Sequence, residues 1–201
     1  VLVCDACGPP LLHLVICGQC TICVRDRDWA EDISQTDDRL GQAIDASEIA
    51  VMGHSCGGLQ AIAASADPRV DTSIIFNSGV YDRNVMGPKR SSIEVSKDDL
   101  FKIHAPIAYI DGGPTDIAHQ NNFDEFKRIN QVEIFRGELP VGHGGTFWVD
   151  ENGGAWADVA VEWLDWKLKG DTVGTEFFTQ GEGPVNELGE WKTEYKLPTK
   201  N

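Results

Sequence analysis

Residues 49–64 read IAVMGHSCGGLQAIAA, and this stretch decides the fold. The apolar run 49–52 predicts a buried strand, and the small residues after Gly57 predict a helix. Ser55 lies between them in the pattern Gly-x-Ser-x-Gly. A strained turn at this point lifts a serine hydroxyl clear of the backbone, and its neighbours must be small because strand and helix cross closely. The stretch therefore predicts an exposed serine nucleophile at the start of a helix.

The form Gly-His-Ser-Cys-Gly-Gly at residues 53–58 resembles the nucleophile elbow of the α/β-hydrolase superfamily, in its esterase, lipase and dienelactone-hydrolase-like branches. The resemblance covers about residues 47–170. It implies a serine, an acid and a histidine that act together in that chain order. It also implies an α/β fold with a mostly parallel sheet and helices on both faces.

The pattern of the remaining chain predicts the same fold class, because strands alternate with helices. The predicted strands are 72–76, 107–110 and 131–135, with one or two more in 1–24, and the predicted helices are 57–66, 118–129 and 155–169. A further helix that follows residue 24 is expected to have Trp29 and Ile33 on its apolar side. Residues 80–104 are expected to form a loop excursion near the site, and 171–201 an irregular C-terminal tail that packs on or trails from the catalytic domain 1–170.

The candidate base is His143, which follows a predicted strand in the run Val-Gly-His-Gly-Gly. Flanking glycines leave an imidazole free to reach over the end of a sheet. His119, at a predicted helix start, is the rival. His13 and His104 lie within or beside apolar runs and are expected to be structural.

The candidate acid is Asp116, in the run Asp-Gly-Gly-Pro-Thr-Asp after the strand predicted at 107–110. Its place after the glycine turn resembles the position where the superfamily carries its acid. Asp111, at the strand end itself, is then expected to support the turn. Three other carboxylates follow the preceding strand and are less well framed by glycines: Asp82, Asp98 and Asp99.

The oxyanion of an acyl-transfer intermediate needs backbone donors, and the N–H of Cys56 is the expected first donor. Only 48 residues precede the strand that leads to Ser55, whereas members of the superfamily usually have several strands there. The sequence thus predicts incomplete N-terminal strands and leaves the second donor unassigned. Substrate contacts are expected from the elbow, from the residues after His143 and from the loop excursion: His54, Phe147, Trp148, Tyr81 and Met86.

Composition restricts the partners. The 201 residues carry a formal net charge of −15, which argues against binding to nucleic acid or to anionic membrane surfaces. No apolar run approaches the roughly 18 residues that a membrane span requires. No cofactor or metal is implied, because the expected site supplies nucleophile, base and oxyanion donors from the chain itself.

Five of the six cysteines lie in the first 23 residues, and four of them have the spacing C-x2-C-x9-C-x2-C. This spacing is compatible with a zinc site. The surrounding runs are apolar, however, and favour buried cysteines or local disulfides. These cysteines are Cys4, Cys7, Cys17, Cys20 and Cys23.

The expected activity is hydrolysis of a small-molecule or polymeric carboxylic ester through an acyl-enzyme on Ser55. Two alternatives remain open at this point. The same site could pass the acyl group to an acceptor other than water, or the chain could be a truncated or inactive hydrolase-like binding protein.

Overall fold

The computed structural model describes residues 2–4, 21–37, 45–81, 95–173, 175–180 and 190–199. A six-stranded sheet has the order β1-β2-β3-β4-β5-β6, with the first five strands parallel and β6 antiparallel to β5. Its strands are Leu2–Cys4 (β1), Ala50–His54 (β2), Thr72–Phe76 (β3), Ile107–Asp111 (β4), Ile134–Glu138 (β5) and Lys192–Lys196 (β6). The α-helices are Thr21–Thr36 (α1), Cys56–Ala64 (α2), His119–Arg128 (α3), Gly154–Lys169 (α4) and Thr175–Gln180 (α5), and 3-10 helices span Lys97–Lys102 and Glu151–Gly153.

Helices cover both faces of the sheet. Successive strand side chains point to opposite faces, so Ile75 packs with Ile62 of α2 in one core cluster and Ile74 packs with Trp163 of α4 in the other. The fold class predicted from the sequence is confirmed. No helix in the described part of the chain has the length and apolar content to cross a bilayer.

The predicted strand at 131–135 is wrong at its start, because β5 begins only at Ile134. The Gln131 side chain donates instead to the backbone oxygens of Leu100 and Ile103, at 2.7 and 3.1 Å. Gln131 thus satisfies carbonyl groups at the end of the first 3-10 helix. The strand predicted at 72–76 is confirmed without change.

Weak periodicity predicted an irregular tail over 171–201, but the described part of that segment contains helix α5 and strand β6 and packs on the domain. Phe177 and Phe178 of α5 are buried against Phe135, with ring centroids 5.6 and 4.9 Å away. β6 pairs with β5 in a register that sets Tyr195 opposite Phe135. The strand is half exposed and rich in lysine, so its apolar content is too low to predict a strand from the sequence. Its position depends on pairing with β5.

The N-terminal expectations need two corrections. Residues 21–24 begin helix α1 rather than end a strand, and the structure gives β1 as Leu2–Cys4. Trp29, predicted to lie on the apolar side, is 57% exposed. Asp28 and Glu31 bind Arg69 at 3.1 Å, so acidic residues of α1 face the rest of the domain.

Several expectations fall on residues outside the description: the cysteines between β1 and α1, His13, and residues 82–94 of the loop excursion with Asp82 and Met86. The later part of that excursion is described. It contains the 3-10 helix Lys97–Lys102.

Candidate active site

Ser55 occupies a strained turn between β2 and α2. Its φ and ψ are 54° and −117°, in the positive-φ region that few residues other than glycine adopt. The turn is held because the Ser55 N–H donates to the Phe76 oxygen at 3.0 Å and the Ser78 hydroxyl donates to the Ser55 oxygen at 2.6 Å. A Cβ at Gly53 would lie 2.3 Å from the Gly57 carbonyl carbon, which explains the first glycine of the motif.

Three of the predicted site residues form a continuous hydrogen-bonded chain. Ser55 Oγ lies 2.9 Å from Nε2 of His143, and Nδ1 of His143 lies 2.6 Å from Oδ1 of Asp116. An ionised carboxylate only accepts, so Nδ1 carries the proton and Nε2 of the neutral ring is the acceptor that faces the serine hydroxyl. The three residues come from loops that follow three different strands.

Asp116 is buried at 4% exposure and is bound through both oxygens. Besides His143, Oδ1 accepts from the Ala118 N–H at 2.9 Å, and Oδ2 accepts from the Gly112 N–H at 3.1 Å. Burial favours the neutral acid, but these backbone donors, with His143 and Asn77, outweigh it and hold the pKa of Asp116 below its ordinary value of 3.8. The carboxylate is therefore charged at neutral pH.

The loops that carry the acid and the base touch at two glycines. The Gly142 N–H donates to the Gly112 oxygen at 2.8 Å. A Cβ at Gly112 would lie 1.9 Å from the Gly142 oxygen, so the approach requires a residue without a side chain. Gly142 itself has φ 79°. Gly142, predicted only to leave the imidazole free, thus also brings the loop of His143 against the turn at Gly112.

Asn77, which was not among the predicted site residues, links both loops to a helix. This buried residue follows β3 with φ 46°. Its Nδ2 donates to Asp116 Oδ2 at 2.9 Å and to the Gly142 oxygen at 3.1 Å, and its Oδ1 accepts from Trp156 Nε1 at 2.8 Å. The run Asn-Ser-Gly after a strand indicates a turn, but nothing local in it indicates contact with residue 116.

The predicted substrate-contacting residues have unequal surroundings. His54 Nε2 donates to the His143 oxygen at 2.8 Å, so this imidazole binds the neighbouring loop. Phe147 packs edge-on against Phe76, with centroids 4.9 Å apart, and belongs largely to the core. Trp148 is 72% exposed and lies beside Gly144. Of these three side chains, that of Trp148 presents the most aromatic surface to solvent.

Cys56, the predicted oxyanion donor, is the first residue of α2. The first N–H groups of an α-helix have no partner within the helix and lie at its positive end. This position places the Cys56 backbone next to the serine hydroxyl. Its side chain is exposed.

The alternative acid and base lie together in a separate cluster. His119 Nδ1 is 2.9 Å from Asp111 Oδ1, which also accepts from the Gly113 N–H at 2.8 Å. Asp111 therefore supports the turn that leads to Asp116, as expected. Among the other candidates, Asp99 binds Ser96 and Lys102, and two more are exposed: Asp98 and His104.

The same cluster has the donor atoms of a metal site, since ligand atoms of Asp111, His119 and Glu138 lie within 4.8 Å of one another. The guanidinium of Arg136 lies between the two carboxylates, 2.7 Å from Asp111 and 3.0 Å from Glu138. Burial raises the pKa of Asp111, against the opposing charge of Arg136. The arrangement is a buried ion-pair cluster whose cation is an arginine.

A hydroxyl that faces an imidazole, itself bonded to a buried carboxylate, can lose its proton as its oxygen attacks an electrophile. This is the chemistry that the arrangement of Ser55, His143 and Asp116 permits. Comparison of the chain with protein-family models and with curated proteins finds no match.

Proposed function

We propose that the protein is a serine hydrolase that cleaves carboxylic esters through an acyl-enzyme on Ser55. The observation that carries the proposal is the chain of contacts from Ser55 Oγ through His143 to Asp116, at 2.9 and 2.6 Å. The resemblance of the elbow to the α/β-hydrolase superfamily supports the same chemistry.

In the proposed acylation, Ser55 Oγ attacks the ester carbonyl carbon and its proton passes to Nε2 of His143. The charged Asp116 holds the tautomer and stabilises the imidazolium. The tetrahedral oxyanion accepts a hydrogen bond from the Cys56 N–H, a contribution of about 3–4 kcal/mol to the transition state for such a donor. Collapse of the intermediate breaks the ester C–O bond, and the imidazolium protonates the departing alkoxide.

Deacylation repeats these steps with water as the nucleophile. His143 takes a proton from the water as its oxygen attacks the acyl carbon, and then returns a proton to Ser55 as the acid departs. If an alcohol replaced water at this step, the product would be a new ester. Product analysis with and without an added alcohol distinguishes hydrolysis from acyl transfer.

The test is labelling with a fluorophosphonate probe, followed by peptide mass spectrometry. We expect the label on Ser55, no label in Ser55→Ala, and a rate about 10⁴-fold lower in Asp116→Asn. Asp99→Asn is the matched control, because this carboxylate lies in the 3-10 helix outside the hydrogen-bonded chain. A folded protein that takes no label would overturn the proposal and favour a non-catalytic binding protein.

Active protein would then be assayed with esters of graded acyl length. Trp148 is the side chain whose removal should change the KM for apolar acyl groups, since it exposes its ring beside the loop of His143. Trp29→Ala provides the control, because Trp29 is also exposed but lies on α1.

A further inference from the structure

Asn77 satisfies three partners whose chemistry determines how its carboxamide is oriented. The indole Nε1 of Trp156 can only donate, so the atom 2.8 Å from it must be the amide oxygen. The amide nitrogen then faces Asp116 Oδ2 and the Gly142 oxygen, and both of these only accept. An ionised aspartate at this position would place a carboxylate oxygen, which only accepts, against the Asp116 carboxylate and the Gly142 oxygen.

The backbone of Asn77 is also adapted to its place. Its φ of 46° lies in the left-handed region, which asparagine tolerates better than most residues. Its N–H donates to the Ile110 oxygen at 2.7 Å, which ties the end of β3 to β4. The side chain can therefore reach Asp116, 39 positions later, and Gly142, 65 positions later.

We propose that Asn77 is a positioning residue for the reaction on Ser55, an inference that rests on the proposed function. Its amide nitrogen joins the carboxylate of Asp116 to the carbonyl that precedes His143, and so fixes the acid and the base relative to each other. Trp156 of α4 holds the amide in the productive orientation. Asn77 acts through Asp116 and His143 rather than on the substrate.

A negative charge introduced in place of the Asn77 amide would lie beside the carboxylate of Asp116. Asp116 is the titratable group bonded to the Asn77 amide, and His143 is bonded in turn to Asp116. Asp111 follows Ile110, whose oxygen accepts from the Asn77 N–H, and its carboxylate is paired with Arg136 and His119. The contact from α4 is the uncharged indole of Trp156. A carboxyl introduced at position 77 would thus interact mainly with Asp116.

The decisive variant is Asn77→Asp, which keeps the size of the side chain and the bond from Trp156. Two carboxyl groups this close share a proton at low pH, and the O–H at position 77 can then donate to Asp116 in place of one of the two amide N–H bonds. As pH rises the shared proton is lost and the donor disappears. We expect the ratio of the labelling rates of variant and wild type to fall with rising pH, reaching a loss of about 10- to 100-fold at neutral pH.

Trp156→Phe is the matched control, because it removes the bond to Oδ1 and leaves both amide donors. We expect lower thermal stability for this variant and a rate ratio that does not change with pH. If the role of Asn77 were merely structural, Asn77→Asp would behave in the same way. A ratio independent of pH in Asn77→Asp would therefore overturn the inference.

A second measurement does not depend on activity. The proton between His143 Nδ1 and Asp116 should give a low-field NMR resonance in wild-type and Ser55→Ala protein. Asn77→Gly, which keeps the positive φ, should shift or lose it. If the resonance is shifted or lost in Asn77→Gly and the wild-type protein takes no label, the proposed hydrolase activity is refuted and the positioning role of Asn77 is retained. A labelled chain whose resonance and pH profile are unchanged in the variants would refute the positioning role alone.

Discussion

The imidazole Nε2 of His54 donates to the backbone oxygen of His143 at 2.8 Å, and the two rings lie 5.4 Å apart. The next residue, Ser55, meets the ring of the same histidine through its hydroxyl at 2.9 Å. The elbow therefore contacts His143 twice, once at its backbone and once at its side chain. Because the backbone contact limits how far the loop can move, His54 should restrict the distance between the serine and the imidazole.

His54→Phe tests this restriction, since phenylalanine keeps a ring and lacks the donor. We expect a labelling rate about 5- to 10-fold lower, which corresponds to a hydrogen bond of about 1 kcal/mol. His104→Phe is the control, because His104 is exposed. An unchanged rate in His54→Phe would mean that other contacts position the His143 loop.

The contact between Gly112 and Gly142 leads to a prediction about stability and activity together. A methyl group at Gly112 would lie 1.9 Å from the Gly142 oxygen, whereas one at Gly144 would have its nearest neighbour at 3.9 Å, in the Trp148 ring. We expect Gly112→Ala to cost about 3 kcal/mol or more in unfolding free energy, because the clash is with backbone. It should also abolish labelling.

Gly144→Ala should remain within about 1 kcal/mol of wild type and keep its labelling. Urea unfolding and probe kinetics on both variants provide the comparison. Equal losses in the two variants would show that the glycines serve the flexibility of the loop rather than the close approach of the two loops.

The sequence predicted the fold class and the residues that the structure brings together at the site. Each of Ser55, Asp116 and His143 follows a strand and lies near glycines. Each residue can therefore be recognised from its immediate neighbours in the sequence. Parallel strands end at one edge of a sheet, so the loops that follow them can meet. The prediction therefore needed only local signals and a fold class.

The contacts of Asn77 and Arg136 could not be predicted in this way. Asn77 binds Asp116, 39 positions later, and Arg136 binds Asp111, 25 positions earlier, and both contacts depend on side-chain geometry at the sheet edge. Strand β6 was not predicted for a related reason, because this half-exposed edge strand lacks an alternation of apolar and polar residues. For Asn77, Arg136 and β6 alike, the structural role depends on a partner that is distant in the sequence.

The buried cluster around Arg136 predicts a difference between two arginines that both form several ion pairs. The Arg136 side chain is 3% exposed and neutralises Asp111 and Glu138, whereas the Arg69 side chain is 41% exposed among surface carboxylates. Arg136→Met leaves the buried Asp111 without its guanidinium partner and Glu138 with only the exposed Lys192, and it should cost about 3–5 kcal/mol in unfolding free energy.

Arg69→Met should cost less than about 1 kcal/mol, because solvent screens its pairs. Chemical denaturation of both variants measures the two losses. Similar losses would contradict the interpretation of the Arg136 cluster as a buried network on which the strand ends depend.

Glu125 predicts a dependence of stability on pH. This fully buried carboxylate on α3 accepts from the Val80 N–H and from Lys97 Nζ, the latter at 3.0 Å, and interacts with Tyr109. Burial raises the pKa of Glu125 above its ordinary value of 4.5, although Lys97 opposes the shift. The folded protein therefore keeps this proton to a higher pH than the unfolded chain does.

As pH rises from about 4.5 through the raised pKa, the unfolded chain ionises first and Glu125 makes the fold less stable. Glu125→Gln removes this titration and keeps an oxygen for the Val80 N–H, while Lys97 retains Asp124 at 2.9 Å. The unfolding free energy of the variant, relative to wild type, should increase between pH 5 and pH 7 in urea titrations. Glu176→Gln, at an exposed position on α5, is the control. A relative stability of Glu125→Gln that decreases over this range would mean that Lys97 and the Val80 N–H outweigh burial, and that the charged form of Glu125 is the one that the fold stabilises.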